Sequence, residues 1–231
     1  ANTGLIKSIR PGADRESLLG KARELCLMPG LLAELERVFQ PASHHPCRGH
    51  PVHYLLETEE QGAQEEALDL LLSALYLNRR LQRRRFLTLA CDSAEALGDE
   101  VLQKAAAASR GGALVLDFNS AGQDSAIYID TGEYVCRLMG ACEAVKGSEL
   151  DVLLVFCLPA GNRGFDDLIR ETLGDTAFVK INQDLLSAEA SAAWLKQAAG
   201  REGASPDKDL QNALSNGQKG FSVAELRDVF K

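Results

Sequence analysis

Apolar residues in this chain come in short unbroken blocks, and that pattern constrains the fold more than any other feature. Five runs, Val52–Glu57, Arg85–Ala90, Ala113–Asp117, Val152–Cys157 and Ala177–Ile181, have the length of strands. Ala113-Leu114-Val115-Leu116 and Val152-Leu153-Leu154-Val155-Phe156 are apolar at consecutive positions, which suits strands covered on both faces in a parallel sheet. Helical stretches separate them: Ala63–Leu81, with Ala67, Leu70, Leu71, Ala74 and Leu75 on one face, then Ser93–Ser109, Gly132–Val145, Asp166–Thr172 and Ser187–Ala199. The alternation predicts a three-layer α/β domain, an open and mostly parallel five-stranded sheet with helices on both faces and right-handed crossovers. Ligands of such sheets usually bind beyond the carboxyl ends of the strands.

The flanking segments read differently. Two short helices, Asp14 to about Met28 and Leu31 to Phe39, are separated by Pro29-Gly30, with Asp14 as N-cap. Pro41–Pro51 is rich in Pro, His, Ser and Gly and reads as an exposed connection. The expected division is therefore N-terminal helices and loop over 1–50, an α/β core over 51–200, and a linker with a short helical tail over 201–231. In that tail Ser205-Pro206 can open one helix and the capping box Ser222-Val223-Ala224-Glu225 another. A chain that starts at Ala1 and stops at Lys231 inside a helix-like segment reads as a domain cut from something longer.

At 231 residues, 45% hydrophobic and 25% charged, the chain can build a core without staples. A formal net charge of −8 disfavours nucleic acid as the main partner. The six cysteines are scattered, as expected of reduced thiols, and no apolar run reaches the ~18 residues of a membrane span. These features point to a cytoplasmic protein without a membrane partner.

A strand, a loop and a helix over Val52–Leu81 is the layout of a phosphate-binding loop, in which glycines let backbone N–H groups wrap a phosphate and a lysine neutralises it. Here the loop reads Glu57-Thr58-Glu59-Glu60-Gln61-Gly62-Ala63-Gln64-Glu65, acidic where it should be basic.

The segments His50–Leu56 and Glu66–Leu81, with "GGALVLDF", "DVLLVFC" and "FDDLIRETLGDTAFVKI", make the run from about Leu18 to Ala199 resemble the AAA+ ATPases of the sporulation stage V K and CbbX rubisco-activase type. The resemblance places Gly62 at the last loop glycine, Ala63 at the lysine and Gln64 at the magnesium-binding hydroxyl, or Gln64 and Glu65 if the loop slips by one. Asp117 stands at the aspartate that helps hold magnesium, but Phe118 replaces the glutamate that polarises the attacking water. Cys157 replaces a polar sensor, and Gly174-Asp175-Thr176 fall where arginine fingers belong, with Arg170 a turn too early. In this family the nucleotide sits at subunit boundaries, so a degenerate copy could pack beside active ones. The lid that follows the core in the family is abbreviated in Ser205–Lys231.

Electrostatics weighs against ATP at this loop. Glu57, Glu59, Glu60, Glu65 and Glu66 crowd it, and one unit-charge repulsion at 4 Å is about 4 kcal/mol at an effective dielectric of 20. Losing the lysine, glutamate and finger also strips phosphoryl transfer of positioning and charge stabilisation. The expectation is a catalytically inactive, pseudo-ATPase module with no cofactor, whose partners are proteins, other AAA+ subunits among them. The alternative is a domain or enzyme using the acidic loop and Asp117 for a cationic ligand. A weaker one is a non-hydrolysing ATP binder.

Three other groups stand out. His44, His45, Cys47 and His50 offer imidazole and thiolate, which suit zinc, although the spacing matches no finger and Pro46 favours a plain loop. Arg79, Arg80, Arg83, Arg84 and Arg85 form a basic end to the helix after the acidic loop, either a dipole-matched solvated end or a docking patch for an acidic surface. Cys136 and Cys142 are too far apart on one helix to pair and read as small buried apolar residues.

Overall fold

The computed structural model describes residues 5–10, 12–25, 28–40, 53–58, 61–91, 98–119, 136–138, 140, 152–159, 178–182, 188–201, 203, 208, 212 and 226. In chain order they form β1 (Leu5–Ser8), α1 (Arg15–Glu24), α2 (Pro29–Val38), β2 (His53–Thr58), α3 (Gln61–Leu77), β3 (Arg85–Ala90), α4 (Asp99–Ser109), β4 (Ala113–Asp117), β5 (Leu153–Pro159), β6 (Phe178–Asn182) and α5 (Ala188–Arg201). The sheet is mixed and mostly parallel, in the order β1-β3-β4-β5-β2-β6.

The five expected strands are present, β3 and β4 with the predicted bounds, but the sheet has six. The addition is β1, which pairs antiparallel with β3 from Leu5↔Thr88 to Ser8↔Arg85. Leu5-Ile6-Lys7-Ser8 is too short and too mixed to announce itself as a strand. It is held by pairing to an edge that already exists. Asp14 caps α1 as expected, its Oδ1 accepting from the Ser17 N–H at 2.7 Å. The Ser205 and Ser222–Glu225 caps and the helix expected over Asp166–Thr172 lie outside the described residues.

The sheet divides the interior into two cores. On one face Tyr54, Leu56, Val115, Val155, Cys157 and Ile181 pack with side chains of α1, α2, α3 and α5. On the other Leu55, Leu87, Leu114, Leu116, Leu154 and Phe156 pack with α4. Consecutive residues of β2, β4 and β5 thus feed opposite cores, which is why these runs are apolar without alternation. The chain leaves β2 through α3 on the first face, skips past two positions to β3, and returns through α4 on the second face to β4. Opposite directions on opposite faces are what one fixed crossover handedness demands.

The turn into β4 shows how tightly the layers fit. Gly111 sits at φ 78°, and a Cβ on Gly112 would lie 2.4 Å from the Arg85 carbonyl oxygen. Only glycine allows that approach of α4 and β3 backbones.

Candidate functional site

The carboxyl ends of β2, β4 and β5 meet the first turn of α3. Strand β2 ends at Thr58 and α3 begins at Gln61, leaving Glu59 and Glu60 between them. A phosphate-binding loop needs the whole Gly-x-x-x-x-Gly stretch in that interval. Gly62, expected as its last glycine, is instead an exposed position in the first turn of α3, where an added Cβ would touch nothing within 4 Å. Ala63 is buried in the core of the first face.

Gln64 fills the crevice. Its side chain is 3% exposed, and its Nε2 donates to the carbonyl oxygens of Leu56 at the end of β2 and Leu158 at the end of β5, both at 2.9 Å. Its Oε1 accepts a short hydrogen bond from Asn119 Nδ2. Asn119 is held in turn by Asp117, whose Oδ1 accepts from the Asn119 N–H at 3.0 Å and from Nδ2 at 2.8 Å. One amide thus joins two strand ends and, through Asn119, a third. Both Nε2 protons and the acceptor oxygen of Gln64 are engaged, so the group has little left to offer a ligand.

Beside this network lies a cavity of about 50 Å³, lined by Lys7, Gln64, Glu65, Asp117, Asn119 and Cys157 among others. It has room for a few waters, each needing about 10–15 Å³ on this measure. Cys157 faces Asp117 across the β4–β5 register. Burial, first, and then the neighbouring Asp117 and Cys91 push its thiol well above the ordinary range, so it is a neutral lining group.

The other expected site residues scatter. Phe118 is 2% exposed and packs in the core of the opposite face with Leu116 and Phe156. It does not face the cavity. Glu57 does not crowd the α3 N-terminus freely as expected, because it forms an ion pair with Lys180 of β6 at 3.0 Å. Glu65 and Glu66 are exposed on α3. His44, His45, Cys47, His50, Glu59, Glu60, Arg170, Gly174, Asp175, Thr176 and Cys142 lie outside the described residues. Among the described residues no group of three His, Cys, Asp or Glu side chains is placed to hold a metal ion. Cys136, expected to be buried, is exposed.

The arginine group also needs correcting. Helix α3 ends at Leu77, not Leu81, so Arg79, Arg80, Arg83, Arg84 and Arg85 follow its last turn and do not belong to it. Arg79 takes a left-handed conformation, φ 57°, with its N–H bonded to the Tyr76 carbonyl at 3.0 Å and the Arg80 N–H to the Leu75 carbonyl at 2.8 Å. This is a Schellman stop, with arginine where glycine is usual. Two of the five are tethered: Arg84 Nε donates to the Ile9 carbonyl at 2.7 Å and Arg85 Nη2 to the Ala108 carbonyl at 3.3 Å.

Sequence reasoning missed two polar clusters. Asn119 could have been suspected from Asp117-x-Asn119 after an apolar strand, the pattern of a side chain that bonds the backbone two residues on. The second cluster is Tyr54–Glu34–Arg37. Tyr54 Oη donates to Glu34 Oε1 at 2.7 Å, and Arg37 grips both Glu34 oxygens at 2.6 Å. Burial, then Glu34, raises the Tyr54 hydroxyl, and the Glu34 hydrogen bond raises Arg37. The sequence signal was a glutamate on the Leu31–Leu35–Val38 face of α2 with an arginine three residues on.

No family model matches the sequence, and no curated protein matches it. Among solved structures, the fold is similar to a chain in the structure of the E. coli MS115-1 HORMA:CdnC:Trip13 complex. The TM-score is 0.50 at 10% identity, over 97% of this chain and 85% of that one. At that identity the likeness speaks to fold alone. No helix among the described residues is long and apolar enough to cross a membrane.

Proposed function

We propose that this chain is an AAA+-like domain that has given up nucleotide and serves as a protein-interaction or assembly module. The observation that carries the reading is Gln64. In the place where the resemblance puts lysine or a magnesium-binding hydroxyl, a buried amide welds β2 to β5 and, through Asn119, to β4. Entry of a phosphate would require breaking those bonds in a buried setting, where each orphaned polar group costs about 1–3 kcal/mol. The two-residue interval before α3 removes the loop that would repay the loss. Asp117, which the resemblance retains at the magnesium aspartate, is occupied in positioning Asn119.

An assembly role accords with the similar solved chain, which comes from a structure described as a complex. Calorimetric titration with Mg-ATP tests the reading. No saturable heat is expected with the protein as it stands. One-to-one binding, or ATP turnover that disappears in Asp117→Asn, would overturn it.

A second reading, a small cation at the same end, rests on the cavity that Asp117, Glu65 and Asn119 share, and is opposed by the positive charge of Lys7 in the same lining. A rise in melting temperature with magnesium or calcium that is lost in Asp117→Asn would favour this reading over the first.

A further inference from the structure

The opposite end of the sheet, at the start of the parallel strands, combines two features that the proposed function has not used. Among the described residues the exposed large apolar side chains are Ile6, Tyr76 and Leu77, at 57%, 37% and 45%. The last two are consecutive and close α3. Directly after them come Arg79, Arg80 and Arg83, all exposed. Arg110 joins the same end, because the N–H groups of Gln82 and Arg83 donate to the neighbouring Gly111 carbonyl at 3.0 and 2.8 Å. None of these four guanidinium groups forms an ion pair with a described residue. On a chain with a net charge of −8, four exposed arginines thus share one end of the sheet with two exposed apolar side chains.

We propose that this α3–β3 turn docks an acidic protein segment that carries an apolar residue between its carboxylates, an inference resting on the protein-interaction reading above. Charge complementarity selects the acidic partner, and the planar guanidinium fork matches a carboxylate with two parallel hydrogen bonds. Tyr76 and Leu77 select the apolar residue, since tyrosine and arginine around a small apolar centre are the composition of interface hot spots. Nucleic acid is the poorer fit. A strand of bases needs successive aromatic platforms, and here one tyrosine stands beside a leucine that has no use for a base.

The surface is also held in shape. Arg80 and Leu81 both donate to the Leu75 carbonyl, Leu81 is 4% exposed, and the Asn78 side chain donates to the Val38 carbonyl of α2. A turn fixed before binding loses less entropy on binding.

Fluorescence anisotropy tests the proposal with three labelled probes: a peptide alternating glutamate and leucine, the same peptide with serine for leucine, and oligo(dT). The glutamate–leucine peptide is expected to bind, more weakly as salt rises, and the serine peptide less well. Tyr76→Ser should weaken binding about tenfold, and Arg80→Glu with Arg83→Glu should abolish it. All three positions are exposed, and circular dichroism checks that the variants fold. Absence of peptide binding at low salt, indifference to Tyr76→Ser, or equal binding of oligo(dT) would overturn the proposal. Calorimetry with Mg-ATP is independent of this turn. Nucleotide binding with peptide binding intact sinks only the loss of nucleotide, while silence in both sinks this docking site alone.

Discussion

The two ends of the sheet use polar side chains in opposite ways. At the carboxyl end, Gln64, Asn119 and Asp117 spend their hydrogen bonds on one another and on strand carbonyls. At the amino end, Arg79, Arg80, Arg83 and Arg110 point charge at solvent beside Tyr76 and Leu77. The carboxyl end is where folds of this layout usually take ligands, yet here its central amide is committed to strand carbonyls. There Gln64 and Asn119 give their polar groups to the fold, with the small cavity lined by Lys7, Glu65 and Asp117 beside them.

The contrast can be broken most severely through pH. His53 opens β2 at the amino end, and its Nδ1 accepts the Leu154 N–H at 3.0 Å. Burial lowers its pKa to about 4. An unfolded histidine takes its proton near pH 6.5, so below that the unfolded state binds more protons and native stability falls as pH drops towards 4. Over that window the loss amounts to about 3 kcal/mol. Urea melts at pH 7 and 4.5 should show it, and His53→Gln should flatten the difference.

Next in size is Gly112→Ala, expected to destabilise by about 2–3 kcal/mol because a methyl at 2.4 Å from the Arg85 carbonyl must push β3 and β4 apart. A cost below about 1 kcal/mol in denaturant unfolding would mean that this end is not rigid. Gln64→Leu at the carboxyl end leaves the Leu56 and Leu158 carbonyls and the Asn119 amide without their partner, and should cost about 2 kcal/mol. A neutral outcome would show that water replaces the amide freely. The smallest effect is a gain: Arg79→Gly relieves a left-handed residue and should add about 1 kcal/mol. It should also leave peptide binding near its parent value if Arg80 and Arg83 dominate recognition.

The strands were legible because a two-faced core forces consecutive apolar residues, and both β3 and β4 announced their bounds that way. The acidic character of Glu57–Glu66 was legible too, since it is a matter of residue type. Three things were not. β1 owes its existence to a partner edge far along the chain. The end of α3 was placed four residues late because nothing in Asn78-Arg79-Arg80 breaks a helix by propensity. It stops because Leu81 turns inward and Arg79 accepts a left-handed backbone. The plug at Gln64 was read as a missing cation, when its donors had found carbonyls contributed by two strands 102 residues apart (158 − 56). Long-range partners of that kind leave no local trace.

Pairing between Ser8 and Arg85 also imposes an order on folding. β1 is synthesised well before the edge it needs, and cannot settle until β3 has joined the sheet, so it is a late arrival despite its early place in the chain. Until then the outer backbone of Phe86-Leu87-Thr88-Leu89 is an open template, the kind of surface on which unfinished chains stick to each other. The four-residue β1 covers that template and leaves a shorter edge in its place.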